Sequence, residues 1–412
     1  MFDWAFAQPS KKYIERELSV TILFDDQVNS DLFLLERAWS QPTTFAFLPV
    51  KSGVDVRWVE EILLSLPANL REHHFALLSS GSTGLPKLVL GERRRAEQLV
   101  RVLHDQQKSG PVKTTLFVLP LTYCYAFVNQ WLWALWHGRK IVPTRGFSEP
   151  DTLKTALNQA QEAMVCMVGA QVPLMMRHFT GAVFEGVVRL HFAGGAFPQV
   201  HLPFLQGILP NAMIFNNYGC VEAMPRISLR PADEAITAAN IGKPLPGIKL
   251  MVNDANELLF NSPFAAVGFA DQQGIHELSP DEFIPTGDLA RPCEDGSWEI
   301  LGRNNEVFKR YGEKVAVPTI LQLVATVWEG QVGVYREHDS AGEPGYVLVL
   351  SPAPTPLQLN LLLQALRRRF SRIFWPLRVE SKSALPCLPT GKVDNLRLAS
   401  STSKCVEWRQ RI

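Results

Sequence analysis

Paired cysteines, metal-ligand clusters, an uninterrupted apolar run and a charge imbalance are all missing from this 412-residue chain. Its six cysteines, Cys124, Cys166, Cys220, Cys293, Cys387 and Cys405, are scattered, with no C-x-x-C pair and no histidine at ligand spacing. Neither a zinc site nor a disulfide framework is signalled, and free thiols suit a reducing, cytoplasmic setting. A net charge of +1 gives no support for a nucleic-acid surface. The basic runs Arg93-Arg94-Arg95 and Arg367-Arg368-Arg369 fall in helix-like segments and read as solvated faces. The opening MFDWAFAQPSKKYIERE lacks the basic start and apolar core of a signal peptide. Thr115 to Gly138 comes nearest to a membrane span, but Pro120, Asn129 and Gln130 interrupt it. A buried strand followed by a buried helix accounts for it better, so no membrane partner is expected.

What is present is an ordinary globular composition, 46% hydrophobic and 20% charged. The length exceeds what one compact core supports and predicts two or three domains. Apolar runs of strand length (FAFLPV, FALLSS, TLFVLPL, AMVCMVG, VRLHFAGG, AMIFNNYG) alternate with helix-length segments such as VRWVEEILLSL and AEQLVRVLHDQ. That alternation predicts an α/β fold with a largely parallel sheet. From about Ile241, short segments separated by Gly and Pro predict antiparallel strands and a β-rich subdomain over 241–303. Beyond Arg303, strand-like VGVYRE and GYVLVL with helix-like LQLNLLLQALRRRF predict a smaller α+β domain over 304–412.

The stretch SSGSTGLPK, Ser79 to Lys87, sets two glycines, four hydroxyls and a lysine between apolar runs. Such a loop suits a phosphate, although a polar hairpin uses the same residues. It is not a Walker A loop, because Pro86 precedes Lys87 and Leu88 follows it. It resembles instead the [ST]SG[ST]TGxPK signature of the adenylate-forming enzymes: acyl-CoA and aryl-CoA ligases, peptide-synthetase adenylation domains and luciferases. Four further stretches are similar to that family's signatures, in its order. LPLTYCYAF (119–127) resembles the aromatic segment of the acyl pocket. FAGGAF with NNYGCVEA (192–197, 216–223) resembles the YGxTE region. TGDLARPCEDGSWEILGRNNEVFKRYGEKV (286–315) is similar to TGDxxxxxxDGxxxxxGRxxxxxKxxGxxV, and LPCLPTGKVDNLRL (385–398) to the final lysine motif.

The resemblance implies an N-terminal adenylation domain over 1–303 and a mobile C-terminal lid over 304–412. It implies activation of a small carboxylic acid by ATP with Mg2+, then transfer of the acyl group to the pantetheine thiol of coenzyme A or of an acyl carrier protein. Ser80, Gly81, Ser82, Thr83, Gly84 and Lys87 would hold the β- and γ-phosphates. Gly194, Gly195, Ala196, Asn217, Tyr218 and Gly219 would border the nucleotide, with Tyr218 stacked on adenine and Glu222 on Mg2+. Asp288 would accept from the ribose hydroxyls beside Arg303. Lys392 would bridge the acid and the α-phosphate as the catalytic lysine. Tyr123, Phe127, Val168, Gly169 and Gly194 would line the acyl pocket, Asn305 would be the hinge, and Gly312 would line the pantetheine channel. Their aromatic and small apolar character suggests an aryl or other small apolar acid.

Several positions depart from the family pattern. Val221 stands where threonine is usual and removes a hydrogen-bond donor, Asn305 replaces a charged hinge residue, and Leu88 replaces a glycine. Tyr123 stands where many members carry histidine. Only about 75 residues precede the phosphate loop, so a reduced N-terminal subdomain is expected, as in compact small-acid ligases of secondary metabolism. A monomer or homodimer is expected. A degenerate nucleotide-binding relative and an amide-forming ligase stand as alternatives.

Overall fold

The computed structural model describes residues 20–52, 54–80, 86–195, 197–233, 237, 239–303, 307–311, 313–387 and 393–410. The expected apolar runs form strands Phe45–Leu48, His74–Ser80, Thr114–Leu116, Ala163–Val168, Val187–Ala193 and Met213–Tyr218. They are apolar on successive residues because both faces of their sheets are covered. The fold is mixed α/β, as the alternation predicts.

Eleven strands make the largest sheet. At one end, Lys140–Val142, Thr114–Leu116, Ala163–Val168, Val187–Ala193 and Met213–Tyr218 run parallel. From Ser228–Pro231 onward the pairing becomes antiparallel through Asn240–Pro244, Trp298–Arg303, Ile284–Pro292, Glu257–Asn261 and Lys249–Val252. A second sheet of six strands carries the hairpin His74–Ser80 and Pro86–Glu92 at its centre and Gly268–Asp271 with Gly274–Glu277 at its edge. The short antiparallel strands of 241–303 therefore extend both larger sheets instead of forming a sheet of their own.

Helices fill the space between the sheets. Arg93–Gln106 and the helical segment Cys124–Trp136 bury Leu99, Val100, Trp131 and Trp133 against Phe45, Phe75, Met164 and Cys166. Burial of this kind stabilises by roughly 1.5–3 kcal/mol per large side chain. The Thr115 to Gly138 stretch is thus a strand and a buried helix, and among the described residues no helix is long and apolar enough to cross a membrane. Phe127–Leu132 takes a π-helical turn, an interruption frequent at functional sites. On the opposite face of the large sheet, helices Pro150–Gln159, Val172–Phe179 and Leu202–Ile208 close a second core.

The basic run at 93–95 needs correction. Arg93 is buried, and its guanidinium donates to the carbonyls of Trp39, Gln41, Thr43 and His74. Four carbonyls converging on one point suit an arginine's several donors, and burial pushes it down to about 10. Arg367, Arg368 and Arg369 are solvated, at the C-terminal turn of helix Pro356–Arg369, where positive charge is favoured.

Beyond residue 306, the hairpin Val307–Arg310 and Glu313–Ala316 leads to helix Val317–Ala325 and a four-stranded sheet, Gln331–His338, Pro344–Ser351, Arg378–Ser381 and Cys405–Arg409. Val324, Tyr346, Leu348, Leu362 and Leu366 belong to its core.

Candidate active site

The parallel strands Ala163–Val168, Val187–Ala193 and Met213–Tyr218 end side by side, with Val168 opposite Ala193. The crevice beyond the carboxyl ends of such strands is where α/β sheets bind ligands. Gly194 follows with φ +80°, a conformation glycine takes without strain, and a Cβ there would meet only a Val168 methyl at 3.4 Å. Gly195 faces open space. Val168, Gly169, Gly194 and Gly195 are therefore gathered at one edge, next to Asn217, Tyr218 and Gly219.

After Tyr218 the chain turns back sharply. A Cβ on Gly219 would lie 1.8 Å from the Pro225 carbonyl oxygen, so the turn closes only with glycine. The turn presents Glu222 to the central hairpin of the other sheet, where Ser79 pairs with Lys87 and Ser80 with Pro86. Lys87 Nζ reaches Glu222 Oε1 at 2.6 Å and lies 4.6 Å from the centre of the Phe269 ring. Burial alone would push the Glu222 carboxyl up, but the hydrogen bond and charge of Lys87 hold it below the usual carboxylate range.

A second pair forms on the other side of Tyr218. Asp288 and Arg303 sit opposite each other on antiparallel strands, with Arg303 Nε 2.7 Å from Asp288 Oδ1. Tyr218 donates its hydroxyl to Asp288 Oδ2 at 2.6 Å, and Asp288 N donates to Thr286 Oγ1 at 3.1 Å. Burial, with the neighbouring Asp288 carboxylate, pushes the Tyr218 phenol well above its ordinary value and keeps it neutral.

The acyl candidates divide. Tyr123 is partly buried at the start of the helical segment, its hydroxyl without a hydrogen-bond partner and pushed up to about 12 by burial. Phe127 is not brought to the strand ends. Fully buried, it stacks on Phe75 at 5.1 Å and packs on Trp131, Trp39 and Phe47, so it is a core residue. Five polar residues in the interior beneath this edge carried no sequence signal as a group: Tyr125, Asn129, Cys166, His191 and Arg226. Asn129 alone stood out, as an interruption of an apolar helix.

Gly81, Ser82, Thr83, Gly84, Ala196, Asn305, Gly312 and Lys392 lie outside the described residues. For Ser80 the structure describes the backbone, at the end of its strand. Cys387 and Val393, both within the final motif, pair as an antiparallel bridge, and Asp394 caps helix Asn395–Ser400. Among the described residues no group of three or more His, Cys, Asp or Glu is arranged to hold a metal alone. Mg2+ needs no such cage, since it binds through one or two carboxylates together with substrate phosphates.

Comparison with known proteins places these features. Residues 10–263 match the family described as AMP-binding enzyme. One plipastatin synthase polypeptide from Bacillus subtilis (strain 168) is 25% identical over 352 residues, 78% of this chain and 10% of that protein. A salicylyl-CoA synthase / salicylate adenylyltransferase of Streptomyces sp is 26% identical over 351 residues, 78% of this chain and 62% of that protein. The chain thus spans less than two thirds of either relative. The o-succinylbenzoate coenzyme A synthetase of Bacillus subtilis, solved in complex with AMP, shares the fold with a TM-score of 0.67 at 17% identity, covering 92% of this chain and 82% of that one. With the family match extending over more than half its length, the chain belongs to the AMP-binding enzymes of the adenylate-forming superfamily.

Proposed function

We propose that this chain activates a small carboxylic acid with ATP and passes the acyl group to a pantetheine thiol, on coenzyme A or on a carrier protein. A carboxylate oxygen attacks the α-phosphorus, the bond from that phosphorus to the bridging oxygen breaks, and pyrophosphate leaves. The thiol sulfur then attacks the acyl carbon, giving up its proton, and AMP leaves with the acyl oxygen it had gained. The observation that carries this reading is the convergence of the Lys87–Glu222 and Tyr218–Asp288–Arg303 groups on the ends of one set of parallel strands.

Each group has a physical task there. Lys87, with Ser80, Gly81, Ser82, Thr83 and Gly84, offers a cation, hydroxyls and close backbone donors to the departing phosphates. Glu222 would be an oxygen ligand for Mg2+, which would supply charge neutralisation at the phosphates. Its pairing with Lys87 keeps it ionised until phosphate takes over the lysine. Asp288 is an acceptor-only group suited to two ribose hydroxyls, held in place by Arg303 and Tyr218. Lys392 offers an ammonium between two anions that otherwise repel each other. Rotation of 304–412 about Asn305, bringing Gly312 to the thiol channel, would let one site run both steps.

A second reading, a nucleotide-binding relative without turnover, is favoured by Val221, whose side chain packs on the hydrophobic core. Loss of a hydrogen bond to a charged oxygen costs about 1.5–3 kcal/mol, or roughly ten- to a hundredfold in rate. Val221→Thr should therefore raise acid-dependent ATP–pyrophosphate exchange if the chain is an enzyme. If the chain only binds nucleotide, the substitution leaves it silent. Mass analysis of products with coenzyme A, a carrier protein or an amine separates a thioester from an amide.

A further inference from the structure

The interior between the large sheet and the helical segment 124–136 holds a charge that the fold does not explain. Arg226 is 1% exposed. Among the described residues its hydrogen-bond acceptors are two neutral amide oxygens, Asn217 Oδ1 and, at 3.2 Å, Asn129 Oδ1. Its guanidinium also lies over the Tyr125 ring, 5.3 Å from the centre. Other buried arginines have an evident structural task. Arg93 gathers four backbone carbonyls, Arg189 three, and Arg310 pairs with Asp339. Arg226 has neither a carboxylate nor a backbone carbonyl among its described partners, and five N–H donors to satisfy.

Its surroundings are built for hydrogen bonding. Asn129, set inward by the π-helical turn, accepts from Gln107 Nε2 at 2.6 Å and donates to Cys166 Sγ at 3.1 Å. His191 is fully buried, stacked on Phe215, and lies beside the side chain of Asn217, the same amide that Arg226 engages. Burial, reinforced by the Arg226 charge, pushes it well below its ordinary value, so the ring is neutral and offers one donor and one acceptor. The Tyr125 hydroxyl lies among the same groups, next to Cys166 and Asn217. A buried guanidinium with only neutral partners is costly unless an anion balances its charge.

The cluster adjoins the nucleotide site. Asn217, which holds Arg226, immediately precedes Tyr218. His191 lies on strand Val187–Ala193 two residues before its end, about 7 Å below the strand ends and three residues before Gly194. We propose that the acid activated here carries a second anionic group, a carboxylate or similar oxyanion, which Arg226 receives at the closed end of the acyl site with Asn129, His191 and Tyr125 around it. This rests on the acid-activating function proposed above and replaces the small apolar acid expected from the sequence.

The test is ATP–pyrophosphate exchange with matched acids: aromatic and short aliphatic dicarboxylic acids whose carboxylates lie roughly 6–10 Å apart, the spacing set by the strand rise, their monomethyl esters, and the isosteres with methyl in place of the second carboxylate. In the native chain kcat/KM for a diacid should exceed that for its neutral partners by about 100-fold or more, because a site built around a polar group rejects the analogue lacking it. Arg226→Gln should abolish the preference while exchange with neutral acids persists, and Arg226→Lys should restore part of it. Asn129→Asp provides a second variant should Arg226→Gln fail to fold. It sets a carboxylate against the guanidinium and should erase the preference while leaving the thermal midpoint unchanged or raised. A native preference for neutral acids, or a diacid preference that survives in Asn129→Asp, overturns the inference and leaves acid activation standing. Exchange with no acid at all defeats the acid-activating function itself, and this inference with it.

Discussion

Lys87 and Glu222 come from motifs 135 residues apart, and their contact at 2.6 Å ties the two large sheets together at the site. Because the folded Glu222 carboxyl titrates below its usual value, the stability it contributes is present above the unfolded value, about 4.3, and is lost as pH falls through the folded one. Lys87→Met should thus destabilise by about 1–3 kcal/mol at pH 7 in urea unfolding, and the gap from the native chain should close below about pH 4. Asp288→Asn loses the charge that Arg303 pairs with and weakens the acceptor offered to ribose. It should lower kcat/KM for ATP by about 10–100-fold, with less effect when 2′-deoxy-ATP is the substrate. At this scale sequence motifs identify residue types but not side-chain directions. Tyr218, Glu222, Asp288 and Arg303 could be chosen because the motifs that carry them resemble those of the adenylate-forming enzymes. Phe127 could not be separated from the pocket, because an aromatic side chain serves a core and an acyl site equally well. Arg226 lay four residues beyond Glu222 without a signal, since its meaning comes from what does not surround it.

The turn that follows strand Met213–Tyr218 fixes where Glu222 points. Gly219 permits it by leaving the Pro225 carbonyl room, and an added methyl would press against backbone, which has no rotamer to yield. Gly219→Ala should cost about 1–3 kcal/mol in urea unfolding and lower exchange activity through displacement of Glu222, whereas Gly195→Ala, facing open space, should leave stability near that of the native chain. Strands were legible as apolar runs because both faces of the parallel region are buried. Their sheet membership was not. Gly268–Asp271 pairs with Pro86–Glu92 while its neighbour in sequence, Glu257–Asn261, pairs in the other sheet, and no local pattern carries such long-range pairing. Arg93 was misread for the same reason, since the carbonyls it satisfies lie 19 to 54 residues away.

At the scale of the molecule, two large sheets enclose a shared helical core and bring Lys87, Tyr218, Glu222, Asp288 and Arg303 to one edge, while the described residues from 307 onward build their own four-stranded sheet and core. Division of labour between the two parts predicts that Lys392→Ala lowers acid-dependent exchange by about 100-fold or more while nucleotide binding, read by isothermal calorimetry, changes little. The most direct measurement is incorporation of labelled pyrophosphate into ATP by the native chain across a panel of mono- and dicarboxylic acids. Acid-dependent incorporation that falls away in Lys392→Ala and Asp288→Asn is the expected result. Tight binding of ATP with no incorporation for any acid, before and after Val221→Thr, would contradict it.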